Sequence, residues 1–449
     1  MTSTRSLPNV SGYDARCTLV GAGMNRPFTS VTWLRGAKGN MMNSAFYVAH
    51  AAGLAVGISL LGTTAMAQQL VGGLQIFDKT SGVRNAEVVA PGANEGGFRA
   101  VAEDLRSRII TTGGFDSGGV THLFVSRYNQ DGSADAANFG SGGVTTFSSS
   151  PSGQDTPFDI GVDGASRIYV LASGSEVGLY VVRFLTNGAP DNNYNHGSPF
   201  KVVCDTCSSG TLDVDASGNT AVASANGHGF ALAQVDPSGN EFVFNSNTGF
   251  DDQPLQESVG AVRLDSLGRT VVVGMSSVGF FAVRRFTSGQ PDLSFGPSRG
   301  AFYQSFGYGR QGATDATIDS SGNIFVVGTR QDATDFSAHF MLMEFTTAGA
   351  PVRQGDFKRG SNFAPPGGYF PYKIALAGTS LYIGGNSYVG HASRQEFSIF
   401  KMSTSFVFDV NFGSNGYVED FVSGYSSGAC LGFAYDPRTK NPVLVGVAF

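Results

Sequence analysis

The chain has 449 residues, with 62 glycines, 12% aromatic and 14% charged residues, and a formal net charge of −6. Hydrophobic residues make up 41%, which excludes a disordered chain, because such a chain cannot bury enough apolar surface to offset its conformational entropy. Charged residues usually reach about 25%; many Gly and Phe with few charges fit short strands joined by tight turns.

At the start of the chain, Ala51 to Leu61 is an apolar run, and Ala65-Met66-Ala67 is a small-x-small cleavage pattern. Arg35 and Lys38 supply the basic stretch if translation starts at Met24. This predicts a leader with a removable signal peptide over 1–67 and one mature domain over 68–449. The run is shorter than the about 20 residues of a membrane-crossing helix. No membrane span is expected after cleavage. The mature part holds 24 basic and 34 acidic residues, a net charge of −10. Such a surface repels phosphate backbones, so no nucleic-acid partner is expected.

Cys17 leaves with the leader. In an exported protein the Cys204-Asp205-Thr206-Cys207 sequence is expected to close a local disulfide, with two free thiols as the alternative. A zinc site would need a second such pair. Cys430 lies in an apolar stretch and is expected to be a buried thiol.

Two signals alternate along the mature chain. In the first, a strand ends in an aromatic or Val and a polar turn follows: Phe77, Tyr128, Phe184, Val235, Phe286, Phe345 and Phe400. The turn glycines are Gly82, Gly132, Gly188, Gly239, Gly289 and Gly349, 50 to 60 residues apart, and the Phe400 copy lacks one. The second is an Asp, a short turn and a β-branched run, as at Asp215, Asp265 and Asp319. Degenerate copies stand at Asp104, Asp163, Ala377 and Asp436. Each unit therefore reads as four antiparallel strands, and repeats of this kind predict propeller blades. In the clearest copy the first three strands are expected near 313–318, 323–329 and 339–345.

The chain stops on a second strand, Val443 to Phe449, and the mature part starts with a third, Leu74 to Phe77. The prediction is all-β: a seven-bladed β-propeller, with one blade completed by strands from both termini. Closing the ring this way removes exposed sheet edges.

The motif Arg127-Tyr128-x₃-Gly132-x₂-Asp135-x₃-Phe139-Gly140-x₂-Gly143 recurs as Arg285-Phe286-x₂-Gly289-x₂-Asp292-x₂-Phe295-Gly296, and in part as Asp409-x₂-Phe412-Gly413-x₂-Gly416. On these residues the chain resembles the delta-60 repeat family, exported bacterial proteins of propeller-like build. Three units match well; those around 188, 239 and 349 keep the turn and lose the Phe-Gly ending. The resemblance implies fold and export and no activity, because propellers host many functions.

The repeated Asp-x-x-Gly reads either as a cation site or as an Asp capping its own turn. Recurrence in unit after unit favours the cap. No metal and no cofactor is expected. Asp159, Asp315 and Lys373 occupy equivalent positions on first strands, which line the channel. His122 and His339 are expected at the exposed start of third strands. These five form an alternative channel-mouth site for a lyase or hydrolase.

The connections that lead into first strands carry Tyr308, Arg310, Tyr369, Tyr372 and Tyr425 on Gly-rich loops. Tyr and Arg combine an apolar or planar body with a hydrogen-bonding tip and suit recognition. The leading expectation is a monomeric binding propeller that takes a glycan or protein through this face. A structural or adhesive surface component is the remaining reading.

Overall fold

The structure is a computed structural model. It describes the chain from Val71 to Ala448, apart from the segments 90–96, 151–153, 203–206, 246–257, 306–310, 332–337, 358–368, 390–393, 421–424 and 436–440 and a few shorter stretches. The leader 1–67 lies outside the described residues.

The described residues form seven four-stranded antiparallel sheets. In chain order the first, innermost strands are Phe98–Glu103, Thr156–Val162, Thr211–Val214, Ser258–Leu264, Gln311–Ile318, Tyr369–Ala377 and Gly428–Tyr435. They define blades one to seven. Each inner strand packs against the next, and the seventh packs against the first. The molecule is a seven-bladed β-propeller. Blade five has strands at Gln311–Ile318, Ile324–Gln331 and Ala338–Phe345, close to the expected positions.

Blade seven is composite. Gly428–Tyr435 and Pro442–Ala448 come from the end of the chain, and Val71–Phe77 and Arg84–Val89 from the start. Val71–Phe77 pairs with Pro442–Ala448 over six residue pairs, from Val71 opposite Ala448 to Ile76 opposite Val443.

The core is divided among the joints between blades, because each sheet buries both faces against its neighbours. Seven apolar clusters fill seven joints. The joint of blades seven and one buries Leu74, Ile76, Val443 and Val445 against Phe98, Ile109 and Phe124. Each such side chain stabilises by about 1.5–3 kcal/mol.

The Asp-x-x-Gly turns cap themselves. Asp215 Oδ1 accepts from the Ser217 and Asn219 amides at 2.8 and 2.9 Å, and its Oδ2 accepts from Asn219 Nδ2 at 2.7 Å. Asp104, Asp163, Asp265 and Asp319 repeat the pattern. The Asp oxygens are thereby occupied by turn donors.

The Arg–Asp–aromatic motif ties neighbouring blades together at their outer turns. Arg127 bonds Asp135 Oδ2 through Nε at 2.9 Å, lies 4.6 Å over Phe139, and donates to the Thr186 carbonyl in the next blade. Arg284 does the same with Asp292, Phe295 and Thr347. In this unit the clamping cation is therefore Arg284, one residue before the Arg285 aligned from sequence. The unit around 188 keeps its clamp as well: Arg183 bonds Asp191, lies 4.6 Å over Tyr194 and donates to Pro237 of blade three. Tyr194-Asn195 stand in for Phe-Gly. Asn195 adopts φ +44°, matching Gly140 at +51° and Gly296 at +67°, a region that Asn tolerates better than most residues. Blade five reverses the charges: Glu344 pairs with Arg353 at 2.6 Å, and Arg353 lies 5.6 Å over Phe406 of blade six.

Candidate functional site

Antiparallel blades place all first-to-second and third-to-fourth turns on one face of the disc. The second-to-third and fourth-to-first connections lie on the other. The first face carries the short Asp-x-x-Gly turns and the clamp connections, among them 129–143, 185–199 and 286–300. The second carries the connections that lead into the inner strands, such as 148–155 and 305–310. Connections of this kind are where function concentrates on a rigid scaffold.

At this second face, six inner strands carry a β-bulge at an equivalent place. The bulges leave Arg99, Phe158, Gly260, Thr314, Tyr372 and Leu431 without a cross-strand partner. Bulges bend a strand and re-aim side chains, and they gather at functional rims. The residues that follow them are Ala100, Asp159, Ala261, Asp315, Lys373 and Gly432. Below the rim lies a cavity of about 240 Å³, with Asp159, Asp213, Arg263, Asp315 and Lys373 among its lining residues.

The structure thus brings together Asp159, Asp315 and Lys373, and adds Asp213 and Arg263. Most of this charge serves the ring itself. Asp159 Oδ2 accepts from Thr211 Oγ1 at 2.9 Å and the Leu212 amide at 3.1 Å, both in blade three. Asp315 Oδ2 accepts from the Ile374 amide of blade six at 2.8 Å, and its Oδ1 takes the Arg263 guanidinium. Arg263 Nε also donates to the Ala316 carbonyl at 2.7 Å. Asp213 Oδ2 accepts from the Leu264 amide of blade four at 2.7 Å. These are blade-to-blade clasps around the channel.

Two groups are less engaged. Lys373 Nζ faces Asp159 Oδ2 across the channel at 3.6 Å, longer than a hydrogen bond. Asp213 has no cation within ion-pair reach among the described residues. Burial pushes its carboxyl up, and the more distant Arg263 only partly offsets this. Burial acts to lower Arg263, but Asp315, Asp213 and Asp159 outweigh it and raise the guanidinium.

The histidines do not join this cavity. His122 is half-buried; its Nδ1 lies 3.2 Å from Ser148 Oγ, and its ring lies 5.4 Å from Phe115. His339, expected at an exposed strand start, is 3% exposed and lies 2.6 Å from Asp356 Oδ1, with Arg330 on the other carboxylate oxygen at 3.0 Å. Cross-strand pairing within blade five makes this cluster, and neither histidine lines the channel cavity.

Among the aromatic candidates, Tyr308 and Arg310 lie outside the described residues. Tyr369 is corrected: it is 4% exposed, donates to the Ile383 carbonyl at 3.0 Å and packs edge-on to Phe400 at 4.3 Å. It begins the inner strand and belongs to the core. Tyr372 is the bulge residue of the same strand and is half-buried beside Lys373. Tyr425 is half-buried against the cluster of Phe397 and Phe433. Cys207 is disulfide-bonded, and Cys204 lies outside the described residues. Cys430 is a buried free thiol, pushed up by burial.

Sequence reasoning missed Asp213 and Arg263, because they stand two residues beyond the position compared between units. It also missed the bulges, whose extra residue has a different chemistry in each blade.

This is a seven-bladed propeller with a charged channel and a rim of bulge residues. No family model matches the chain, and no curated protein matches it. Among solved structures, Sqt1 of Chaetomium thermophilum is 14% identical, over 83% of this chain and 96% of that one, with a TM-score of 0.39. PorZ is titled an essential bacterial surface component of the type-IX secretion system of Porphyromonas gingivalis. It is 12% identical over 80% of this chain, with a TM-score of 0.41, and the match spans 48% of PorZ. Neither likeness bears on function, and the fold assignment rests on the strand pairing. Among the described residues no helix is long and apolar enough to cross a membrane.

Proposed function

We propose that the chain is an exported, monomeric binding propeller of the delta-60 repeat type. It takes a glycan or protein ligand through the face whose connections lead into the inner strands. The observation that supports this most is the asymmetry of the disc. One face is closed by self-capped and clamped turns. The other carries a rim of bulges that includes Tyr372, and the connections leading into its inner strands hold Tyr308, Arg310 and Tyr425 in the sequence.

Export is supported by the leader pattern and by the disulfide at Cys207, a bond favoured outside the cytosol. The delta-60 resemblance is supported by the shared job of its Arg, Asp and aromatic residues as clamps. The catalytic alternative has less behind it. Asp159 and Asp315 are spent on blade-to-blade hydrogen bonds, and a general acid or base needs a proton within reach of a substrate.

Glycan arrays and pull-down from the extracellular fraction test this reading. The wild-type chain is expected to capture a ligand that the combined Tyr308→Ala, Tyr372→Ala, Tyr425→Ala variant does not. Equal capture by both would place the site elsewhere.

A further inference from the structure

The channel cavity is lined by one ionisable side chain from each of blades two to six: Asp159, Asp213, Arg263, Asp315 and Lys373. Four of them settle into two pairs. Asp315 takes the Arg263 guanidinium, and Asp159 faces Lys373 at 3.6 Å. Asp213 is the fifth. Its Oδ2 accepts from the Leu264 amide at 2.7 Å, and no cation stands within ion-pair reach of it among the described residues. Three carboxylates against two cations leave the cavity with one negative charge in excess.

Charges attract more strongly where water is excluded, so the excess charge favours a cation in this cavity. The chemistry of the wall says which kind. A hard metal ion such as calcium gathers about six to eight oxygens. Asp159 spends its oxygens on Ile160, Thr211 and Leu212, and Asp315 spends its own on Ile374 and Arg263. No group of metal-ligating side chains converges among the described residues. An ammonium needs less, because a single carboxylate holds it through a charge-assisted hydrogen bond. The rest of the wall includes Val101, Leu212, Ile374 and Phe433, which offer contact to a hydrocarbon body. The volume of about 240 Å³ equals several waters at about 30 Å³ each. It falls below the about 300–1,000 Å³ of drug-sized pockets, so it suits a chain of a few carbons.

We propose that the channel cavity binds a small primary amine, its ammonium on Asp213 and its short aliphatic body against the apolar wall. This goes beyond the binding-face reading: the site lies within the channel and stands with or without a ligand at the rim. It also gives the unbalanced carboxylate a use. Burial favours the neutral form of Asp213, so its ionised form opposes folding when the cavity holds no partner cation. A bound ammonium removes that penalty, and a ligand that binds only the folded chain stabilises it.

The test is calorimetric titration of the full chain with propylammonium and butylammonium chloride, each beside the alcohol of the same length, at constant ionic strength. At least one ammonium is expected to bind about tenfold tighter than its alcohol, the worth of one charge-assisted hydrogen bond. Its affinity should fall as pH drops through the raised value of Asp213, because protonation removes the charge that holds it. Asp213→Asn should weaken the ammonium about tenfold and abolish that pH dependence. Lys373→Gln removes a cation from the cavity and should tighten binding instead. Thermal unfolding of each variant separates lost binding from lost folding. If neither variant folds, the ammonium-to-alcohol ratio and the pH series of the wild-type chain decide. No binding, equal binding of ammonium and alcohol, or unchanged affinity in Asp213→Asn overturns the proposal. So does weaker binding in Lys373→Gln, or displacement of the amine by an equal concentration of potassium, which would make the cavity an inorganic ion site. None of these outcomes touches the binding-face reading, which glycan and pull-down capture tests separately.

Discussion

The ammonium of Lys401 donates to the main-chain carbonyl of Lys79 at 3.0 Å, across 322 positions of sequence. Lys401 also pairs with Asp409 at 2.7 Å and lies 5.7 Å over Phe412. The clamp that links earlier blades thus also fastens blade six to the strands contributed by the start of the chain. Tyr382 Oη donates to the same carbonyl at 3.0 Å.

Ring closure makes the ends of the chain interdependent. Ending the chain after Asn441 removes Pro442–Ala448 and leaves Val71–Phe77 without its central partner. The expected result is loss of cooperative urea unfolding. A truncated chain that kept the wild-type midpoint would show that the composite blade is dispensable.

Within a clamp, the two charges protect each other. Arg284 is 3% exposed and Asp292 1%. Asp292→Ala leaves the guanidinium buried and uncompensated, which costs about 3–5 kcal/mol. Replacing both by apolar residues of similar volume should cost less. Denaturant unfolding of the single and double variants reads the difference.

Acid should loosen the clamps. Burial works against the carboxylates of Asp135 and Asp292, but hydrogen bonds from Asn138 and Arg127, and from Ser294 and Arg284, outweigh it and hold both below the ordinary value. Their contribution is complete above the unfolded value of about 3.9. It is lost as pH falls through the lower folded values. Asp213 has the opposite sign: its carboxyl is raised, so its ionised form destabilises the fold at neutral pH. Asp213→Asn should therefore raise the unfolding midpoint at pH 7, and Asp292→Asn should lower it and flatten the acid limb. A pH series of thermal midpoints checks both signs.

The Phe-Gly ending has a backbone reason. Gly296 sits at φ +67°, and a Cβ there would lie 2.2 Å from the Ala301 carbonyl oxygen. Its amide donates to Ala348 of the next blade at 2.8 Å. Gly296→Ala should destabilise by about 1–3 kcal/mol. At the matching position, Asn195→Gly should be nearly neutral and Asn195→Val should not, as measured by urea midpoints.

Cys430 is an internal reporter of the same closure. It is fully buried in the composite blade, and burial raises its thiol. Reaction needs the thiolate. Alkylation by iodoacetamide should be absent in the native chain and appear together with global unfolding. Labelling well before the unfolding transition would mean that blade seven opens locally.

Seven units, their four strands and the composite blade were legible in the sequence, because period-two alternation and recurring turn residues survive divergence. The Asp caps were legible for the same reason. The clamp was only partly so: Tyr194-Asn195 replaces Phe-Gly, and Glu344–Arg353 reverses the charges, so identity fails where physics is kept. Tyr369 looked like a loop residue because the Gly- and Pro-rich stretch before it runs into the strand without a break. The channel clasps were hidden, since hydrogen bonds such as that from Leu264 to Asp213 join residues 51 positions apart, and their register depends on bulges that no residue type announces.

The central claim is that ligand meets the bulged rim and not the clamped face. Hydroxyl-radical footprinting of the ligand-bound and free chain tests it directly. Protection is predicted at Arg99, Tyr372 and Tyr425, with Leu105, Leu267 and Leu293, exposed on the clamped face, unchanged. Protection of those leucines, with the rim unaltered, would contradict the account.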